Sequence, residues 1–326
     1  MRFHPKFCPR PDCPAHSGSG FEFQRAGLYR RRCDRRQVPR FTCLVCRRGF
    51  SAQTFRLDWR LKRPDLLVPL FKNYVSKVTH RQSARILPCS RSTEERHFRL
   101  IAAHCEAFHL ALLAEVEASG GLGEEFLLDE LETYERNRLK QPVTVPVLIE
   151  RYSGFVLGLS AGAMAPRPSA SKLTPQEKAR RSESVRVVRE VLRMMLAFAR
   201  EDRELLLDTD EKSSYGKLLR ELFGERCHHR QTPSTRRRDM SNPLWPVNHT
   251  CARLRDGVSR LVRRSWAAAK KRTCLEKHMA IWTCYRNCIR GRVNRTPRRT
   301  PAMALGAQTV QWTPERLLRY RVFRAA

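Results

Sequence analysis

Two short cysteine loops constrain the amino-terminal region more than any other feature of the chain. Cys8 and Cys13 bracket CPRPDC, and Cys43 and Cys46 bracket CLVC. A zinc ion takes four soft ligands in a tetrahedron, and two such loops on opposing hairpins supply them without a large core. The chain has twelve cysteines and opens with His4, Lys6 and Cys8 instead of an apolar leader, so a reducing compartment and metal ligation are expected over disulfides. His16 and Cys33 are alternative ligands, but the four-cysteine set has the better spacing. Residues 29–36 and 37–42 are expected as the strands of a small zinc ribbon. The remaining cysteines are scattered, and Cys227-His228-His229 reads as core or surface side chains sooner than as ligands.

Charge comes next. The 326 residues carry 64 Lys and Arg against 32 Asp and Glu, a net +32, while 41% of residues are apolar. Enough apolar sequence is present for packed cores, so the chain reads as a folded, multidomain basic protein with a polyanionic partner, nucleic acid first. The nearly apolar run 154–166 is too short for the roughly 20 residues a membrane-spanning helix needs, which argues against a membrane partner. The charge is uneven: residues 106–135 hold nine acids and no Lys or Arg. Carboxylates gathered among basic flanks point to divalent metal, although Glu106, Glu115 and Glu117 fit a solvated helix face.

After the ribbon, apolar residues recur at helical period over 65–78. Residues 80–87, the break Pro88-Cys89-Ser90 and residues 91–101 then have the layout of a helix-turn-helix. Arg91, Ser92, Thr93 and Arg96 fall at the start of the recognition helix, as candidate DNA contacts. Beyond SGGLG, the segments 126–134, 143–151 and 155–162 read as strands. Thr174-Pro-Gln-Glu177 is a capping box expected to open a helix running to about Arg200, and a buried strand 204–209 ends beside Asp210. Three strands, a helix, a strand and then helices match the ribonuclease-H-like plan. In that plan, acids on the first and fourth strands meet at the centre of the sheet.

The ordered set CPRPDC, RFTCLVCRRGFSAQT, the helix-turn-helix, LLDELETY, TDEKSSY and NHTCARLRDGVSRLVRRS resembles bacterial insertion-sequence transposases of the zinc-ribbon, helix-turn-helix, DDE type. The resemblance covers nearly the whole chain up to about Arg292. It implies a multidomain α+β protein: a zinc ribbon over 1–58, a helix-turn-helix region over 59–118, a ribonuclease-H-like α/β catalytic core over 124–292 and a basic tail over 293–326. It further implies metal-dependent DNA cleavage and strand transfer, with structural Zn(II) on Cys8, Cys13, Cys43 and Cys46. Catalytic Mg(II) or Mn(II) would sit on Asp129, Asp210 and Asn248, and Arg255 would lie beside the scissile phosphate. Asp208 competes with Asp210 and is expected on the opposite strand face. The family's third acid, usually Glu, is Asn248 here; Asp239 and Asp256 are nearby carboxylates that could help in its place. Double-stranded DNA, at element ends and target, is the implied partner, in a homo-oligomeric synaptic complex in the cytoplasm on the nucleoid.

Two other readings stay open. One is a non-catalytic DNA-binding protein, a regulator or decayed transposase, which the Asn at the third position favours. The other is an RNA-processing nuclease on the same fold, which gives the helix-turn-helix no role.

Overall fold

The computed structural model describes residues 3–18, 20–237, 239–262, 268–293 and 298–322. It is a mixed α+β chain in two compact units, residues 1–69 with 315–326, and residues 70–314.

In the first unit, β1 (Phe23–Arg30), β2 (Gln37–Cys43) and β3 (Gly49–Ser51) form an antiparallel sheet in that order. The first strand lies earlier than the 29–36 expected. The basic run 31–36 is instead a turn, closed by Arg31 N–H to the Arg36 carbonyl at 2.8 Å, with Arg35 at a φ of 57°. Phe41, buried on β2, packs against Phe3, Phe23 and Phe50 with ring centroids 5.4–5.9 Å apart. Asp58 is buried and accepts from Arg31 (2.6 Å), Arg56 (2.9 Å) and Gln53 (2.8 Å), so a charged knot supplements this small aromatic core.

The second unit is larger. α1 (Leu67–Tyr74) runs into it and is followed by α2 (His80–Ile86) and α3 (Arg91–Ala118). Thr79 and Gln82 form a capping box on α2, and Ser90 caps α3 through the Thr93 N–H. The helix that begins at Arg91 does not stop near residue 101. It runs for 28 residues in all, to Ala118, because Phe98, Ile101, Cys105, Phe108, Leu112 and Val116 extend one buried stripe.

The sheet comprises β4 (Glu125–Tyr134), β5 (Pro142–Glu150), β6 (Val156–Leu159), β7 (Gly162–Ala163), β8 (Leu205–Thr209) and β9 (Cys227–Gln231). Its order is β6-β5-β4-β8-β9, with β7 paired to β5. β4, β5 and β6 are antiparallel neighbours, whereas β8 lies parallel to β4 and β9 parallel to β8. The last strand, β9, has no counterpart in the sequence reading. Its CHHRQ has one apolar residue, and only Cys227 is buried.

The helices interleaved with these strands are α4 (Pro175–Lys178), α5 (Ser184–Phe198) and α6 (Ser214–Phe223), followed by α7 (Trp245–Gly257), α8 (Arg272–Cys288), α9 (Pro301–Ala304) and α10 (Pro314–Arg319). The Thr174 capping box is present, but the helix it opens ends after one turn. Arg180 then ties the chain to the Pro142 and Met164 carbonyls and to Glu135, and a new helix starts at Ser184. α5 covers β5 and β6, and packs closely on Gly158, where a Cβ would meet Met194 Sδ at 2.9 Å and push that side chain aside. On the other face, Leu127, Leu131, Val145 and Val147 pack with Val247, Cys251 and Leu254 of α7 and with Leu275, Met279 and Trp282 of α8. No helix among the described residues is long and apolar enough to cross a membrane.

Candidate functional sites

In the first unit, Cys8, Cys13, Cys43 and Cys46 bring their Sγ atoms within 4.8 Å of one another. The Cys8–Cys46 and Cys13–Cys43 separations are 3.7 and 3.9 Å. These are too long for a disulfide. They match the edge of about 3.8 Å of a tetrahedron with metal–sulfur bonds of about 2.3 Å. A tight turn presents each pair, with the Cys13 N–H bonded to the Arg10 carbonyl and the Cys43 N–H to the Arg48 carbonyl. The Arg48 backbone N–H lowers the Cys46 thiol pKa, whereas burial raises those of Cys8 and Cys13. The group is a buried four-cysteine centre able to hold a metal ion such as zinc. Of the two alternatives, Cys33 is exposed, and the His16 ring turns its Nδ1 to the Cys8 carbonyl at 2.7 Å.

In the second unit, register determines what the acids can do. Leu127 of β4 pairs with Asp208 of the parallel β8. The same offset sets Asp129 level with Asp210, the first residue beyond β8, on strands about 4.8 Å apart. Asp129 and Asp210 are both half-buried. Asp129 lies between Leu127 and Leu131, whose side chains face α7. Its Oδ1 accepts the Glu130 N–H at 2.8 Å, and its Oδ2 lies 3.9 Å from Cys251 Sγ on α7. Asp210 Oδ1 accepts the Lys212 N–H at 3.3 Å.

Glu130 points the other way. Thr144 and Ser184 donate to its Oε2 at 2.6 and 2.9 Å, Tyr215 donates to Oε1 at 2.8 Å, and Lys212 forms an ion pair with it. Burial would raise its pKa, but these donors and the ammonium hold it below the usual carboxylate range. Burial also raises the Tyr215 pKa, and Glu130, Asp210 and Asp129 add to the effect, so all three acids lie within electrostatic reach of one phenol.

Asp208 corrects an expectation. Asp208 pairs in register with Leu127, so it lies on the sheet face that Leu127 and Asp129 share, not the opposite one. It is distinguished by its partners: Arg230 binds both its oxygens at 2.8 Å, Arg151 pairs with it, and it is 2% exposed. A carboxylate so occupied is structural.

Along α7, Asn248, Cys251 and Arg255 are three and four residues apart and form one stripe. Cys251 is the member in contact with Asp129, a neighbour the sequence reading did not single out. Arg255 donates to the Glu132 carbonyl of β4 at 3.3 Å, and Asn248 is half-buried at the other end of the stripe. Asp239 is occupied by Ser241 and Arg237, and Asp256 is exposed and pairs with Lys77. Beside Asp210, the hydroxyl of Thr209 donates to the Asp210 carbonyl at 2.6 Å and accepts from His229 Nε2 at 2.8 Å. In the sequence His229 reads as a core or surface side chain, because the strand that carries it is not visible there.

At the start of α3, Arg91, Ser92 and Arg96 are exposed and Thr93 is half-buried. Arg91 is held by Glu95 at 3.1 Å. The chain was compared with protein-family models and with curated proteins, and none of them matches.

Proposed function

We propose that the chain is a DNA transposase of the ribonuclease-H-like, DDE type, with a zinc ribbon and a helix-turn-helix as its DNA-binding parts. The observation that carries this reading is the parallel pairing of Leu127 with Asp208, a register that, carried two residues on, brings Asp129 and Asp210 level, with the α7 stripe alongside. The sheet order, three antiparallel strands followed by two parallel ones, supports the same plan.

The donor chemistry fits a divalent cation: two half-buried carboxylates and a neutral amide offer hard oxygens, while the Cys251 thiol is a poor magnesium ligand. Magnesium or manganese held by Asp129, Asp210 and Asn248 would stabilise charge on the attacking and leaving oxygens. In this reading water cleaves a phosphodiester at the element's end and frees a 3′-hydroxyl. That hydroxyl loses its proton and attacks a target phosphodiester, whose own 3′-oxygen leaves. Arg255, on the same helix face, would approach the scissile phosphate, and Arg91, Ser92, Thr93 and Arg96 would contact the end DNA. Zinc on the four cysteines would hold the ribbon. Two DNA ends must meet, so a homo-oligomer on double-stranded DNA follows from the same reading, in the cytoplasm at the nucleoid.

The test is magnesium-dependent joining of an end-containing duplex to target DNA by the full chain, with Asp129→Asn and Asp210→Asn as controls. Joining that is lost in both variants supports the proposal, and joining that survives Asp129→Asn overturns it. The second reading, a non-catalytic DNA-binding protein, is favoured by one observation: α7 brings a thiol, not a third carboxylate, against Asp129. Specific DNA binding without any joining would select it.

A further inference from the structure

A cavity of about 570 Å³ opens beside the amino-terminal half of α7. Trp245, His249 and Arg253, four residues apart on the helix, line one wall, on a different stripe from Asn248, Cys251 and Arg255. The other walls bring in Arg151, Arg286, Arg292 and Arg299. No carboxylate lines the cavity among the described residues.

Arg286 is the anomaly. It is 5% exposed, its Nε and Nη1 atoms are buried without a hydrogen-bond partner, and no ion pair neutralises it among the described residues. Burial, together with Arg253, Arg292 and Arg290, pushes its pKa down to about 9. Arg253 is similarly disfavoured by burial and by Arg290, and its donors go to His249 at 3.2 Å and the Gly291 carbonyl at 3.3 Å. Arg292 and Arg299 donate to the carbonyls of Tyr152 and Met303. Arg151 is the one wall arginine with carboxylate partners among the described residues, Glu125 and Asp208. Burying a guanidinium with open donors among like charges is expensive, and a fold that does so gains when an anion arrives. The amino terminus of α7, which lines the cavity through Trp245 and Pro246, adds a positive dipole end.

We propose that this cavity is a phosphate-binding site, with Arg286 and Arg253 as its principal donors. The phosphate belongs either to a nucleic-acid backbone or to a free phosphate compound. The arginine fork matches phosphate oxygens two at a time. Trp245 stacks on His249 with centroids 4.8 Å apart and offers an aromatic surface at the same wall, as sites for single-stranded nucleic acid commonly do. The proposal rests on the cavity alone; the transposase reading adds only that the phosphate is part of DNA.

The experiment uses the full chain with inorganic pyrophosphate and, separately, a short single-stranded oligonucleotide. Thermal stability and tryptophan fluorescence are read together, and Trp245→Phe identifies the local signal. Pyrophosphate is expected to raise the melting temperature and to change the Trp245 signal saturably. Arg286→Met, which replaces a buried charge by an apolar chain of similar length, should melt no lower than the parent without ligand and bind pyrophosphate at least about tenfold more weakly. Arg253→Gln should weaken binding while keeping the helix. An oligonucleotide that displaces pyrophosphate and loses affinity in Arg286→Met identifies a backbone phosphate; pyrophosphate binding without such displacement identifies a free phosphate compound. No response to either probe, or equal responses in parent and Arg286→Met, overturns the site. Asp129→Asn should bind both probes as the parent does, so loss of joining activity and loss of the phosphate site are separately visible.

Discussion

Asp129 and Glu130 are consecutive residues of one strand that face opposite sides of the sheet. Asp129 turns to the thiol of Cys251, and Glu130 to Lys212, Tyr215, Thr144 and Ser184. Substitution should therefore separate them. Glu130→Gln breaks a largely buried ion pair and is expected to cost about 2–3 kcal/mol of stability. Asp129→Asn should leave the melting temperature within about 2 °C of the parent or above it, because it relieves repulsion toward Asp210. Denaturant titration of both variants checks this, and comparable destabilisation in the two would refute the division.

Asp208→Asn should be among the most damaging single changes in the sheet. It removes the carboxylate that Arg230 and Arg151 share inside the fold, with an expected loss of about 3–5 kcal/mol. Asp210→Asn, by contrast, should fold normally while DNA joining disappears. A stable Asp208→Asn protein would show that Glu125 alone satisfies both arginines.

The four-cysteine centre should bind one zinc per chain. Cys43→Ser is expected to release it, unfold the first unit and weaken DNA binding, while the sheet of the second unit keeps its circular dichroism. Metal folding energies of about 10 kcal/mol explain why one ligand suffices to lose the unit. Elemental analysis of freshly purified protein decides the first point, and absence of zinc sinks the claim.

Acid should loosen the first unit through Asp58. Burial opposes its charge, but hydrogen bonds from Arg31, Arg56 and Gln53 hold its pKa at about 2, against an ordinary value of 3.8. A depressed carboxylate contributes stability that is complete above pH 3.8 and lost as pH falls through about 2. The contribution is about 1–2 kcal/mol once solvent screening is allowed for. Acid titration of parent and Asp58→Asn, compared by difference, should show that interval missing from the variant.

Arg96 should matter more to DNA than Arg91, since Arg91 already has Glu95 as a partner. Arg96→Ala is expected to lower affinity and reduce the salt dependence by about one counterion. If both arginines contact only phosphate, preference between end and unrelated sequences will not change.

The strands around Asp129 were legible in the sequence because FLLDELETY, VTVPVLIE and LLLDT are apolar runs of β-formers with clear ends. Likewise the cysteine loops announce their own geometry. What the sequence conceals has two physical origins. CHHRQ becomes a strand only because β8 offers it an edge, and a polar edge strand carries little pattern of its own. The break between α4 and α5 depends on Arg180 reaching carbonyls that lie 16 and 38 residues away in the chain. Cys251 escaped notice for the same reason: its importance is a neighbour, not a motif.

The first unit is not continuous in the chain. It takes residues 1–69 and then, after the whole second unit, residues 315–326. Leu317 and Leu318 of α10 are buried, and Arg321 closes over the Phe3 ring at 3.7 Å. During synthesis, then, the cysteine-bearing unit begins before the second unit and is completed after it. A ribosome that stops anywhere within the second unit releases a chain whose first unit lacks residues 315–326, so premature products should be recognisable to proteases at their amino-terminal end.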